Sequence, residues 1–212
     1  MHSPLCNIAG PESVATLLRV ALLYIITNPR VHQKLTAEID QMDLAGSLST
    51  PVSFKETKQL PYLGAVVREV FRFHPPIGTP FPRVAPPGGT TICGHFIPGG
   101  CDVGFSMWAL GRNKKVYGED VERFRPERYL EATPEQLLLF QKADMSFGAG
   151  MTTCLGKHIA MFEIYKTIVE LFRNFEIELA DPFHPCKIEN IFAFFIDDMN
   201  VFIKPRSKKA SA

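Results

Sequence analysis

The ten residues Phe147-Gly148-Ala149-Gly150-Met151-Thr152-Thr153-Cys154-Leu155-Gly156 limit what this chain can become more than any other segment. They hold one cysteine between closely spaced glycines and the start of a periodic apolar run. Apolar residues at Ile159, Phe162, Ile164, Ile168, Leu171 and Phe172 predict a helix over 155–173. A sulfur at that helix start meets unpaired backbone N–H groups and the positive end of the helix dipole. Both favour the thiolate, the form that ligates metal or attacks electrophiles. Gly148, Gly150 and Gly156 carry no Cβ, so the backbone can take positive φ and approach something large and flat. Phe147 reads as an apolar lid beside the sulfur, and Gly156 as the space next to it.

Length and charge narrow the alternatives. A chain of 212 residues can bury a sizeable core in one or two domains. Its net charge of +1 points to no nucleic-acid or other polyanionic partner. The cysteines are Cys6, Cys93, Cys101, Cys154 and Cys186, with no C-x-x-C pair, so neither a zinc site nor a disulfide scaffold is indicated. A reducing compartment suits them. No signal peptide is read at the start, and the apolar run 14–26 contains Arg19 and reads as a buried helix.

Along the chain, the first helix is expected over 12–27, opened by Ala9-Gly10-Pro11-Glu12-Ser13. Proline at the first position and Glu in the first turn also describe an ordinary helix start. A second, amphipathic helix covers 29–42. A third covers 62–73 and stops at His74-Pro75-Pro76. It carries Glu69 and Arg72 on one face among Ala65, Val66, Val67, Val70, Phe71 and Phe73. A pair buried there needs further partners to offset its desolvation. The stretch 77–103 is rich in proline and glycine, with β-prone pieces at 81–85, 90–93 and 95–97. A short helix follows over 105–111, then an irregular stretch to Tyr129, then a helix capped by Thr133. The end is β-prone over 175–179, 191–196 and 199–203, with Asp197-Asp198 as a hairpin turn.

Phe-Gly-x-Gly followed by Cys-x-Gly resembles the haem-binding loop of the cytochromes P450, the haem-thiolate monooxygenases, here of the eukaryotic, fungal-like type. Three further motifs occur in the family's order: Ala9-Gly10-Pro11-Glu12-Ser13, Glu69-Val70-Phe71-Arg72 and Pro126-Glu127-Arg128. The resemblance implies a mainly α fold with small antiparallel β-sheets, the C-terminal part of the cytochrome P450 fold, over residues 1–206, with a solvated tail at 207–212. It implies haem b as cofactor and Cys154 as the axial ligand of its iron. Phe147, Gly148, Gly150 and Gly156 would shape the loop, and Arg83 would bind a haem propionate. Glu12 and Ser13 would take the acid and alcohol positions that deliver protons. Glu69, Arg72 and Arg128 would form a structural triad holding the segment that leads to the loop, and Ile77, Thr79 and Pro80 would face substrate. One departure concerns the position two before the cysteine. The family usually has a basic residue there, pairing with a propionate, whereas Thr152 brings no charge. Haem anchoring would then rest more heavily on Arg83.

The implied reaction is monooxygenation of a small lipophilic substrate, with electrons from NADPH through a separate flavoprotein reductase, since no Gly-x-Gly-x-x-Gly motif is present. Relatives usually sit at the endoplasmic reticulum membrane on its cytosolic face, and the family's membrane anchor and earlier helices have no counterpart in this sequence. Two other readings compete. The chain is a truncated, catalytically inactive haem-thiolate fragment, or it is a cysteine-nucleophile enzyme with His158, four residues after Cys154, as base.

Overall fold

The computed structural model describes residues 4–191 and 193–207, and the side chains of these from Ala9 onward. Phe192 of the expected terminal β segment and positions 208–212 of the expected tail lie outside the described residues. Helix α1 spans Pro4–Ile26. It begins well before the expected start at Glu12, and Pro11 lies inside it rather than at its first position. Proline has no N–H, so one bond to the preceding turn is forfeited. The Ser13 hydroxyl adds side-chain bonds in the same turn, to the Ala9 carbonyl at 2.8 Å and the Gly10 carbonyl at 3.2 Å.

Asn28 closes the end of α1 by donating to the Tyr24 carbonyl at 2.7 Å. Helix α2, Pro29–Leu44, turns Val31, Leu35 and Ile39 inward on one face. The four-residue helix α3, Phe54–Thr57, lies where no helix was expected. It is too short for periodicity to reveal, but Ser53 and Glu56 form a reciprocal capping box. Helix α4 spans Pro61–Phe73. Glu38 of α2 satisfies its first turn, accepting from the Tyr62 N–H at 2.7 Å and the Leu63 N–H at 2.9 Å.

Next come strands β1 (Arg83–Val84), β2 (Thr90–Ile92), β3 (His95–Ile97) and β4 (Asp102–Val103). They form two antiparallel ribbons, β1 with β4 and β2 with β3, so β2 and β3 form a hairpin between β1 and β4. Helices α5 (Met107–Gly111), α6 (Lys114–Tyr117) and α7 (Pro134–Ala143) follow, the last with the expected Thr133 cap. Helix α8 spans Lys157–Asn174. Strands β5 (Phe175–Leu179), β6 (Lys187–Asn190), β7 (Phe194–Asp197) and β8 (Val201–Pro205) end the fold. Here the expected hairpin is corrected. Asp198 does take the left-handed region at φ 55°, but β7 pairs back with β6 while β8 pairs with β5. Residues 187–190 lack strong β character, which hid the true partner of β7.

The core lies among α1, α2, α4 and α8. Leu17, Val20, Ala21 and Ile25 of α1 meet Leu63, Val66 and Val70 of α4 and Ile164, Ile168 and Phe172 of α8. Each such side chain contributes about 1.5–3 kcal/mol by leaving water. The stretch Ala9–Ile26 is apolar and long enough to cross a membrane by composition. Its inner face is instead buried against the protein's own helices, as expected for 14–26.

Glu69 is fully buried and is held from two sides. Arg72 grips it with Nε at 2.8 Å and Nη2 at 2.7 Å, and Arg128 points Nε at both carboxylate oxygens at 3.1 Å. The Arg125 N–H adds a bond at 2.8 Å. Other guanidinium hydrogens go to backbone carbonyls, Arg72 to Gly111 at 2.6 Å and Val121 at 2.9 Å and Arg128 to Tyr117 at 2.7 Å, and Arg128 also donates to the Asp120 carboxylate at 3.1 Å. Gly111 is required here, because a Cβ would lie 2.2 Å from the Arg72 carbonyl oxygen. The expected triad therefore exists, and it ties α4 to the otherwise irregular 111–129 segment. Glu127 beside it serves another contact. Its burial is outweighed by hydrogen bonds from Arg30, Lys34 and Tyr62, which hold its carboxyl down at about 2.

Removing one partner from a buried ion network leaves a charge without compensation. Glu69→Gln and Arg128→Met are each expected to lower stability by about 3–5 kcal/mol in urea unfolding. A loss below 1 kcal/mol would show a network that the fold does not need. A second prediction concerns acid. His74 is 2% exposed and packs between Phe194 and Trp108. Burial, then the charge of Arg112, lowers its pKa to about 4. The unfolded chain thus takes up a proton between the ordinary value of about 6.5 and that of the fold, and stability drops as pH falls through this window. Between pH 7 and 5 this term is about 2 kcal/mol. Unfolding of His74→Phe at the two pH values should show a correspondingly smaller acid loss.

Candidate functional site

The cysteine loop is a set of backbone turns hung from the core. Gly148 has φ 71° and Gly150 φ 63°, both in the left-handed region. A 3₁₀ turn over Gly150–Thr152 follows, and the Cys154 N–H returns to the Phe147 carbonyl at 2.8 Å. The two glycines are needed for different reasons. A Cβ at Gly148 would sit 3.1 Å from the Thr152 carbonyl oxygen, whereas one at Gly150 would meet open space. Gly156 caps α8, so the helix begins two residues later than expected. A Cβ on it would touch the Cys154 sulfur at an ordinary 3.9 Å, so within the chain the sulfur does not require the space. Phe147 is half-buried, with its ring centroid 5.1 Å from that of Phe71 in α4. It anchors the loop to the core.

The loop leaves Cys154 exposed, with Met151, Leu155 (92% exposed) and Ile159 (65%) around it in sequence and also outward. Phe162 is exposed as well. These apolar side chains explain a discrepancy in the periodicity of α8. Ile164, Ile168 and Phe172 face the core, while Ile159 and Phe162 were counted with them but lie on the surface.

Arg83 reaches this loop. Strand β1 fixes its backbone through pairing with Val103. Its Nη1 donates to the Pro82 carbonyl at 3.0 Å and the Phe81 carbonyl at 3.4 Å, and its Nη2 donates to the Thr152 hydroxyl. That hydroxyl lies in turn 3.2 Å from the Ala149 carbonyl oxygen, to which it donates. The fold thus brings together Arg83 and the position where the sequence lacks a second cation. The Arg83–Thr152 bond was missed from sequence, because nothing local links residues so far apart.

Glu12 is exposed on α1, and the Ser13 hydroxyl is engaged with its own turn. Open space adjoins Gly10, where a Cβ would meet nothing within 4 Å. Among the described residues no hydrogen bond joins Glu12 or Ser13 to the cysteine loop, and none joins His158 to Cys154. His158 is exposed on α8. A nucleophilic cysteine needs its base within hydrogen-bond reach, so this arrangement does not favour that chemistry.

The donor set fits a particular kind of metal partner. Among the described residues no group of three or more His, Cys, Asp or Glu side chains could hold a metal ion. A lone thiolate supplies one ligand, too few for a bare structural or catalytic zinc. The iron of a macrocycle brings its other donors with it. Exposed apolar groups, a glycine turn and a cation bonded to the loop through Thr152 suit a flat apolar group with acidic edges.

Comparison with known proteins agrees. The family model described as Cytochrome P450 matches residues 3–203. A cytochrome P450 monooxygenase of Aspergillus terreus is 44% identical over 169 residues, 80% of this chain and 34% of that protein. A cytochrome P450 monooxygenase of Alternaria alternata is 39% identical over 194 residues, 92% of this chain and 51% of that protein. Pisatin demethylase of Fusarium vanettenii is 39% identical over 198 residues, 93% of this chain and 37% of that protein. The chain therefore spans about a third to a half of the length of these relatives.

The loop geometry gives a ranking. Alanine in the left-handed region costs about 1–2 kcal/mol, and at Gly148 it also presses on the Thr152 carbonyl. Gly148→Ala should speed hydrogen exchange of the Cys154 amide by roughly tenfold or more. Gly150→Ala should speed it less, and the reverse order would show that the Gly148–Thr152 contact does not limit the loop.

Proposed function

Because this chain belongs to the cytochrome P450 family, we propose that it carries the haem-binding part of a haem-dependent monooxygenase acting on a small lipophilic substrate. The single observation behind this reading is Cys154, exposed on a glycine-turned loop that is fixed to the core and flanked by Arg83. In this proposal the cofactor is haem b, and when bound it supplies the oxygen chemistry. Cys154 would hold the haem iron through its thiolate, an electron-rich ligand. The Phe147 ring and the Cys154 N–H bond to Phe147 hold the sulfur's backbone in place. Arg83 binds a propionate through its planar fork. Phe147, Gly148, Gly150 and Gly156 shape the loop.

Glu12 and Ser13 are the proposed proton carriers. Ser13 donates its proton to the carbonyls of its own turn, which leaves its lone pairs to accept a hydrogen bond from a water that Glu12 could protonate. The open side of Gly10 gives such a water room. Ile77, Thr79 and Pro80 are the proposed substrate side, and an NADPH-dependent flavoprotein reductase the electron source. The proposed compartment is the cytosolic face of the endoplasmic reticulum membrane.

A second reading is a haem-thiolate fragment without turnover of its own. It is favoured by the exposed Leu155, Ile159 and Phe162, an apolar surface that water covers poorly. The test is expression with haem supplied, followed by the ferrous–carbon monoxide difference spectrum. A strongly red-shifted Soret band, lost in Cys154→Ala, is the expected result. Soluble, folded protein that takes up no haem would refute the cofactor assignment. Haem uptake without substrate-dependent NADPH oxidation in the presence of reductase would select the second reading.

A further inference from the structure

The bond between Arg83 and Thr152 has a consequence beyond the haem reading, on which it rests. Arg83 is exposed, and a free arginine side chain on a two-residue strand samples many rotamers. Here it is held at several points: by the carbonyls of Phe81 and Pro82, and by the Thr152 hydroxyl. Thr152 is itself fixed by the 3₁₀ turn and by its contact with the Ala149 carbonyl. These bonds engage Nη1 and one hydrogen of Nη2. Among the described residues the Nε–H makes no hydrogen bond. Arg72 uses its own Nε–H, together with Nη2, to grip Glu69 in the core. A carboxylate from outside the chain would meet the same planar fork.

We infer that Thr152 is a positioning residue for the cofactor: its hydroxyl holds Arg83 so that one arginine, rather than two separate cations, anchors the cofactor's carboxylate. A hydroxyl is suited to this because it accepts from the guanidinium, which an arginine or lysine side chain at position 152, having no acceptor, could not do. Thr152 then acts only through Arg83, and only on a ligand that bears a carboxylate.

The test is haem titration of the full chain by absorbance, with Thr152→Val, Thr152→Ser, Arg83→Gln and the Thr152→Val/Arg83→Gln double variant. Loss of one bond to a charged group predicts that Thr152→Val weakens haem binding about tenfold. Thr152→Ser should restore the affinity. In the Arg83→Gln background Thr152→Val should add nothing, because the group it positions is gone. Haem dimethyl ester, which lacks the free carboxylates, should bind all four variants and the unaltered chain alike. Equal haem affinity in Thr152→Val and the unaltered chain would overturn the inference and leave the haem reading intact, as would additive effects in the double variant. A Thr152→Val loss that persists with the dimethyl ester would overturn it too, since it would mark a purely structural role. If the unaltered chain took up no haem, the haem reading would fall and this inference with it.

Discussion

The Glu69 carboxylate, buried and shared between Arg72 and Arg128, is the interaction on which the rest of the structure depends. Burying three charges is costly, and mutual attraction offsets the cost only when the remaining donors are also satisfied. In this chain they are, by carbonyls drawn from Gly111, Tyr117, Val121 and Arg123 and by the Asp120 carboxylate, which meets the charge of Arg128. Those carbonyls belong to a segment with little regular structure, whose buried Tyr117 and Val121 pack in a small cluster with Phe140 while Phe124 joins the main core. The network ties this segment to α4, fixing an irregular chain by hydrogen bonds to a rigid helix. Gly111 shows how tight the arrangement is, since even one methyl group would collide with the Arg72 backbone.

Helix α4 carries both halves of the arrangement. Its polar edge presents Glu69 and Arg72, while Val66, Val67 and Val70 lock the same helix into the core with α1 and α8. Phe71, next to Arg72 in sequence, touches Phe147 and so reaches the cysteine loop from the same rigid body. The sulfur is thus placed by a chain of contacts that begins in the best-packed part of the protein. Each link transmits position and not flexibility, as preorganisation of a ligand site requires. Arg83 approaches from a different element, the β1–β4 ribbon, and meets the loop only through Thr152.

Much of the site was legible in the sequence because its signals are local. Glycines at 148 and 150 announced a backbone that needs positive φ, and both have it. The i, i+3 spacing of Glu69 and Arg72 among apolar neighbours announced a buried pair. Helix α3 was not expected, because four residues are too short for periodicity and its signal is only the Ser53–Glu56 capping box. The first helix misled because Gly-Pro-Glu is a good helix start, and only the backbone shows a helix passing through Pro11. The hairpin at Asp197-Asp198 misled for a related reason. A turn residue predicts a reversal of direction, but pairing is decided by which strand lies alongside.

By itself the sequence determined most of helices α2, α4, α7 and α8, the glycine turns, the sulfur and the Glu69–Arg72 pair, because each follows from the chemistry of neighbours within a few residues. Tertiary structure alone decided which face of α8 is free, which strand β7 pairs with, and that Phe147 turns into the core. It alone brought Arg83 to the Thr152 hydroxyl from a distant strand. The reason is physical: propensity and periodicity act over one or two turns of chain, whereas desolvation and hydrogen bonding select among surfaces that only the folded chain brings together.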